Sequence, residues 1–286
     1  MKIKITGSSG YLGQNILESL KKGGHETSGI DREILYENEN RLTDTIQNTD
    51  VIINLAGAPI LQRWTEKNKQ IIYDSRVKTT LNLIESIKKL PVNNQPKKII
   101  GASAIGIYAP GNTHTEKSTD YEKGFVGKVV QNWESASEEI PDNVQRVLFR
   151  IAPVLGKKSA TVKNLMLPFK LGVGGKIGSG KQPFPFVHID DVVNAFIWAV
   201  EDYEKDGIFN LSAPDNISNK TFTKTFADKI NRPAFIPVPG FGLKLIYGEA
   251  ANMLIDSPEV IPQELERAGY KFRYPDIDST LSHILK

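Results

Sequence analysis

"MKIKITGSSGYLGQNILESLKKGG", residues 1–24, decides how the chain is read. KIKIT is a short run rich in β-branched residues, the composition of a strand. GSSGYLG follows at once. Beyond it Leu12, Ile16, Leu17 and Leu20 recur at helical spacing, which predicts a helix with one apolar face. Gly23 or Gly24 can end that helix in a left-handed conformation. Strand, glycine turn and helix, in that order, form the setting in which a glycine motif acquires chemical meaning.

Gly7, Gly10 and Gly13 spell G-x-x-G-x-x-G. Gly7 permits a tight turn, Gly10 lets backbone approach a pyrophosphate with no Cβ in the way, and Gly13 lets the helix pack closely on the strand. Ser9, Tyr11 and Leu12 belong to the same turn, where the free N–H groups of a helix N-terminus attract phosphate. The expectation is a bound dinucleotide. The second strand, HETSGI (25–30), ends at Asp31 and Arg32, about 20 residues past the glycines, where the adenosine ribose is read. Asp31 suits a free 2′-hydroxyl and so NAD; Arg32 suits a 2′-phosphate and so NADP. Both cofactors stay open at this point. DVIINLAG (50–57) is continuously apolar, as a parallel strand covered on both faces is. Leu55, Ala56 and Gly57 close it, at the strand end where open α/β sheets take ligands.

The pattern continues with a fourth strand, PKKIIGAS (96–103), after one long helix from about Thr65 to Leu90 that stops before Pro91. A fifth strand lies in VQRVLFRIAPVLG (144–156). FPFVHIDD (184–191) leads into an amphipathic helix for which Asp190 or Asp191 is a natural N-cap, and GIFNLSAP is another short strand. Strands alternating with helices argue for an α/β fold with a doubly wound parallel sheet. The expected division is a dinucleotide-binding Rossmann domain over 1–155 and about 186–213. A small, mostly helical lobe on the substrate side takes about 156–185 and 214–286.

Composition narrows the function classes. Among 286 residues the net charge is +3 with acids and bases interspersed, unlike the clustered basic face of a nucleic-acid protein. There is no cysteine, so disulfides, thiolate nucleophiles and Cys-ligated zinc are excluded. No apolar run approaches the roughly 20 residues that cross a bilayer, and the chain enters a strand at once with no signal-peptide core. The expectation is a cytoplasmic protein with a small-molecule substrate and neither nucleic acid nor membrane as partner.

ITGSSGYLG, VIINLAG and the helix IIYDSRVKTTLNLIESI resemble the extended short-chain dehydrogenase/reductase superfamily, in its nucleotide-sugar epimerase branch. INLAGAPILQRW, PFKLGVGGKIGSGKQPFPFVHIDD, RPAFIPVPGFGLKLIYGEAANML and the closing KFRYPDIDSTL narrow the likeness. They resemble an atypical subgroup of epimerase-family, nucleoside-diphosphate-sugar-epimerase-like proteins. The resemblance spans nearly the whole chain. It implies an NAD(P)-binding Rossmann fold, a nucleotide-sugar-like or other small polar substrate and, as in many relatives, a homodimer. The expected cofactor-binding set adds Arg76, Ala102 and Pro153 to the residues above.

The superfamily's usual catalytic pair is Tyr-x-x-x-Lys, because residues four apart on a helix touch. None of the nine tyrosines has a lysine four residues on. In DYEKGFVGKVVQNWESA (120–136) Tyr121 is two residues from Lys123 and seven from Lys128. Aligned through QNWESA, the relatives' Tyr and Lys fall at Val126 and Val130, so this helix face is expected to pack. Anchored on Tyr108, the relatives' catalytic Ser or Thr falls at Ala104, with Ser103 its neighbour. Ser103 and His188 are the candidate catalytic residues: Ser103 as a hydrogen-bond donor to cofactor or substrate, His188 as a proton shuttle near neutral pH. Each has a structural alternative, a satisfied strand-end hydroxyl or a hydrogen-bonded core histidine. Arg76 stands where relatives carry Asn; it either clamps an anion or pairs with Asp74 or Glu85. Arg63 and Trp64 cover the pocket or pack their own loop. His114 is expected on a loop surface, and no metal site is expected. Two functions stay in view: an NAD(P)-dependent oxidoreductase or epimerase, and a dinucleotide-binding sensor without turnover.

Overall fold

The computed structural model describes residues 1–37 and 39–286. The strands are β1 (Lys2–Thr6), β2 (Glu26–Ile30), β3 (Val51–Asn54), β4 (Lys98–Ala104), β5 (Thr113–His114), β6 (Gln145–Ile151), β7 (Val154–Leu155), β8 (Val187–His188), β9 (Gly207–Leu211) and β10 (Glu259–Val260). The first seven helices are α1 (Tyr11–Lys22), α2 (Arg32–Glu37), α3 (Glu39–Ile46), α4 (Glu66–Asp74), α5 (Val77–Lys88), α6 (Phe125–Glu138) and α7 (Ala160–Lys170). There follow α8 (Ile189–Glu201), α9 (Asn219–Lys229), α10 (Gly240–Tyr247), α11 (Asn252–Ile255), α12 (Gln263–Arg267) and α13 (Ile277–Ile284).

Six strands form one parallel sheet in the order β2-β1-β3-β4-β6-β9. The order reverses between β1 and β3, and a crevice opens at the carboxyl ends of strands at such a switch point. The four residues of β3 are all buried, as a central strand between two helical layers requires. On one face Ile3, Ile5, Val147 and Phe149 pack under Ile16 and Leu20 of α1 and Phe196 of α8. On the other, Ile52 and Ile99 pack under Leu42 of α3 and Leu83 and Ile87 of α5. A separate apolar cluster joins Phe169 of α7, Phe222 and Phe226 of α9 and Leu281 of α13, so the C-terminal helices have a core of their own. Among the described residues no helix is long and apolar enough to cross a membrane.

Three local readings are corrected. The single helix expected over 65–90 is two, broken at Ser75 and Arg76. The Ile72 carbonyl accepts from Ser75 Oγ (3.0 Å) and from the Arg76 guanidinium (3.2 Å), while the Arg76 N–H turns to the Tyr73 carbonyl. Side chains thus take the acceptor that would have continued the helix. The N-cap of α8 is His188, whose Nδ1 accepts the Asp190 N–H at 2.9 Å. Asp191 instead accepts the N–H groups of Arg273 and Tyr274 at 2.6 and 3.0 Å, and burial raises its carboxyl pKa. His114 is buried, not on the surface: it stacks on Tyr108 at 4.8 Å with its Nε2 2.8 Å from the Ala109 carbonyl.

Candidate functional site

The glycine turn is built for close approach. Gly7 has φ 66°, a conformation that favours glycine, and a Cβ there would lie 2.8 Å from the Leu55 carbonyl oxygen. A Cβ on Gly13 would overlap the Gly7 carbonyl oxygen. No side chain caps α1 and no acid occupies its first turn, so the N–H groups of Tyr11, Leu12 and Gly13 stay available to an anion. Ser9 lies in this turn, its carbonyl accepting from Gln14.

The loop after β3 is held against the turn by a buried relay that the sequence reading missed. Thr6 Oγ1 donates to Asn54 Oδ1 at 2.7 Å and accepts the N–H groups of Leu55 and Ala56 at 3.0 and 3.1 Å. Asn54 Nδ2 donates to Thr80 on α5 (2.9 Å), which also accepts from the Trp133 indole of α6 (3.2 Å). Four elements thereby fix where Leu55, Ala56 and Gly57 stand. Two polar residues at the ends of apolar strands were the available signal, since such groups must be satisfied.

Arg76 closes this side. Its guanidinium lies 5.4 Å from the centre of the Trp133 ring, and a Cβ on Gly57 would stand 3.2 Å from it. It donates to the carbonyls of Ile72 and Ala58 at 3.2 and 3.0 Å. Among the described residues no carboxylate pairs with it: Asp74 takes Gln70 and Glu85 takes Lys88. Burial pushes its pKa down to about 10. A desolvated cation bonded only to neutral oxygens, the two carbonyls and the Ser75 hydroxyl, suits an incoming anion. Asp31 and Arg32 are both exposed at the carboxyl end of β2, with Arg32 5.3 Å from the centre of the Tyr36 ring. Ala102 on β4 is partly buried beside Trp133, and Pro153 stands between β6 and β7. Tyr11 reaches Gly156, where a Cβ would overlap its hydroxyl. Trp64 donates to the Ile60 carbonyl at 2.9 Å and meets Phe125 edge-on, while the Arg63 stem lies against Gly248.

The two catalytic candidates sit in closed networks. The Ser103 hydroxyl donates to Glu134 of α6, whose carboxylate also accepts from Arg150 of β6 at 2.9 and 2.7 Å. Arg150 donates further to the Tyr108 hydroxyl (2.7 Å), which donates to Asn210 (2.8 Å). Burial drives the Tyr108 phenol up to about 12, and the adjoining Glu134 holds the Arg150 cation above its ordinary value against the cost of burial. His188 is wholly buried. With Nδ1 accepting from Asp190, its proton resides on Nε2 and is donated to His283 Nδ1 at 3.0 Å; Tyr274 covers the ring at 3.9 Å. Burial lowers the His188 pKa to about 4. Asp190 brings a third ligating atom within 4.8 Å of the two histidines, but both His188 nitrogens are already engaged. Tyr121 lies outside α6, whose start is held by Glu122 accepting from the N–H groups of Gly124 and Gly127. Val126 and Val130 are 5% and 1% exposed, so the face that would carry Tyr-x-x-x-Lys is packed core.

Residues 3–212 match the NAD dependent epimerase/dehydratase family, and residues 238–284 match a domain of unknown function, DUF1731. The epimerase family protein YfhF of Bacillus subtilis is 32% identical over the whole chain and 98% of its own length. The human epimerase family protein SDR39U1 is 31% identical over all of both chains. A crystal structure of the human protein with NADPH superposes with a TM-score of 0.92 at 30% identity, covering 100% of this chain and 99% of that one. MoeE5 in complex with UDP-glucuronic acid and NAD shares the fold, with a TM-score of 0.80 at 17% identity over 100% of this chain and 98% of its own. The G-x-x-G-x-x-G turn at the switch point and the match over residues 3–212 agree: this chain, with its DUF1731 segment, belongs to the NAD-dependent epimerase/dehydratase family, and its relatives over the whole length are epimerase family proteins.

Proposed function

We propose that this chain binds a nicotinamide dinucleotide across the switch point and acts with it on a small polar substrate beneath the C-terminal helices. The observation that carries the reading is the uncapped, acid-free N-terminus of α1 beside Gly7 and Gly13, which leave no room for a Cβ, and Gly10, which leaves little. The human relative crystallised with NADPH supports it. Bound there, the cofactor supplies hydride transfer, and the protein positions it. Asp31 accepts from ribose hydroxyls, and Arg32, supported by Tyr36, meets a 2′-phosphate, which makes NADP the preferred form. Arg76 holds an oxyanion of cofactor or substrate. A proton leaving through Ser103 passes to Glu134; a relay through His188 to His283 requires the Asp190 N–H to give up Nδ1 first.

A second reading is a dinucleotide-binding protein without turnover. It is favoured by the burial of Val126 and Val130, which leaves no phenol and ammonium pair on α6.

Fluorescence titration with NADPH and NADH, followed by absorbance assays against sugars, aldehydes and quinones, separates the two. Oxidation of bound NADPH by any substrate, abolished in Ser103→Ala or His188→Ala, sinks the binding-only reading. Tight binding with no oxidation across the panel sinks the enzymatic one, and no binding sinks both.

A further inference from the structure

The C-terminal helices carry a surface unlike the rest of the molecule. Leu167 and Leu171 at the end of α7, Phe235 and Ile236, and Phe241 and Leu245 of α10 are each between 61% and 89% exposed. A single exposed leucine signifies little, but six large apolar side chains gathered in adjoining segments mark an interaction surface. The segments are joined through backbone: the Val238 N–H donates to the Lys176 carbonyl at 2.8 Å, and the Gly178 N–H to the Val238 carbonyl at 2.9 Å. A Cβ on Gly175 would overlap the Ile236 carbonyl oxygen.

Charge is segregated onto the same segments. Residues 157–189 and 230–248 hold eight of the chain's 36 lysines and arginines and none of its 33 acids. On α7, Lys163, Leu167 and Leu171 follow at four-residue steps and share a face, with Lys170 exposed beside them. On α10, Phe241, Lys244 and Leu245 repeat the arrangement. Aromatic and aliphatic tips interleaved with lysines, without an acid, are the composition of a helix face that lies in a membrane interface. A second copy set against this face by a two-fold axis would oppose lysine to lysine.

We propose that this face docks on the surface of a bilayer rich in anionic phospholipid. The apolar tips enter the boundary between headgroups and acyl chains, and the lysines extend to the phosphates. The expectation of no membrane partner rested on the lack of a spanning segment, and surface docking needs none. The docked face adjoins the loop after β3 and helix α4: Gly248, directly after α10, lies on the Arg63 stem of that loop, and Lys69 of α4 pairs with Glu249 at 3.3 Å.

Sedimentation of the full chain with vesicles of phosphatidylglycerol in phosphatidylcholine, against phosphatidylcholine alone, tests the proposal. The expected result is partition that requires phosphatidylglycerol and weakens as salt screens the lysines. Lys163→Glu with Lys170→Glu, and separately Phe241→Ser with Leu245→Ser, should each lower it by about tenfold or more, while NADPH titration of both variants matches the parent and reports an intact fold. Three results overturn it: no phosphatidylglycerol-dependent partition at low salt, partition undiminished in both variants, or a dimer that becomes monomeric in the Phe241→Ser, Leu245→Ser variant and so assigns the face to a second copy.

Discussion

Arg150 grips Glu134 side-on, Nε to one carboxylate oxygen at 2.9 Å and Nη2 to the other at 2.7 Å, with side chains only 3% and 8% exposed. The pair ties β6 to α6 and gathers Ser103 and Tyr108 around it. Removing one charge strands the other in the core, at a cost of about 3–5 kcal/mol, whereas replacing both by apolar side chains costs far less. Glu134→Ala should therefore lower unfolding stability by about that amount, and Glu134→Leu with Arg150→Met should restore most of it. Urea denaturation at neutral pH measures both. Equal losses in the single and double variants would show that the pair is not acting as a unit.

Gly13 tests the cofactor cleft. A Cβ at this position overlaps the Gly7 carbonyl oxygen, so Gly13→Ala must push the turn away from α1. The first-turn N–H groups then lose their common aim, and NADPH affinity should fall by about tenfold or more, each tenfold being 1.4 kcal/mol. Gly24→Ala is the control: it sits at positive φ, 82°, and nothing lies within 4 Å of its Cβ. It should lose about 1 kcal/mol of stability and none of the affinity. Fluorescence titration beside thermal melting checks the pair.

How much of this was legible follows from the range of each interaction. KIKIT, the glycine turn and the apolar face of α1 are local patterns, and they specify β1, the turn and the helix, hence the sheet and its switch point. The Glu134–Arg150 grip joins helix to strand and leaves no periodic trace. Its one signal is a charged residue inside the apolar run VLFRI, which demands a partner without naming it. The break at Ser75 and Arg76 depends on side chains competing for the Ile72 carbonyl, a contest invisible to helical periodicity. The cap of α8 went to His188 because Asp191 is drawn away by the N–H groups of Arg273 and Tyr274, 82 and 83 residues along the chain.

His188 sets a pH dependence whose sign follows from its environment. Burial lowers its folded pKa to about 4 from an ordinary value of 6.5, so below pH 6.5 the unfolded chain takes up a proton that the folded chain refuses. Its contribution to stability is complete above about pH 6.5 and is lost as pH falls toward 4. The loss should accumulate at up to about 1.4 kcal/mol for each pH unit of that interval. His188→Asn keeps a side-chain acceptor at the N-cap of α8 and should flatten this part of the profile. Denaturant midpoints at pH 7, 5.5 and 4.5 for both proteins decide it, and an equally steep fall in the variant would place the titration elsewhere.

Val130 addresses the missing relay directly. It is 1% exposed and packs in the same cluster as Ile105, Ile107 and Val126, so the position offers a lysine ammonium no water, and the Glu134 carboxylate one turn on is already held by Arg150. Val126→Tyr with Val130→Lys rewrites the Tyr-x-x-x-Lys pattern along α6, but the ammonium must be desolvated and the phenol must displace packed side chains. The double variant should lose about 3 kcal/mol or more of stability and gain no NADPH oxidation. A stable variant that oxidises NADPH would instead mean that α6 still presents a catalytic face and that two substitutions alone separate this chain from the usual chemistry of its relatives. Melting and the absorbance assay, run on one preparation, distinguish these outcomes.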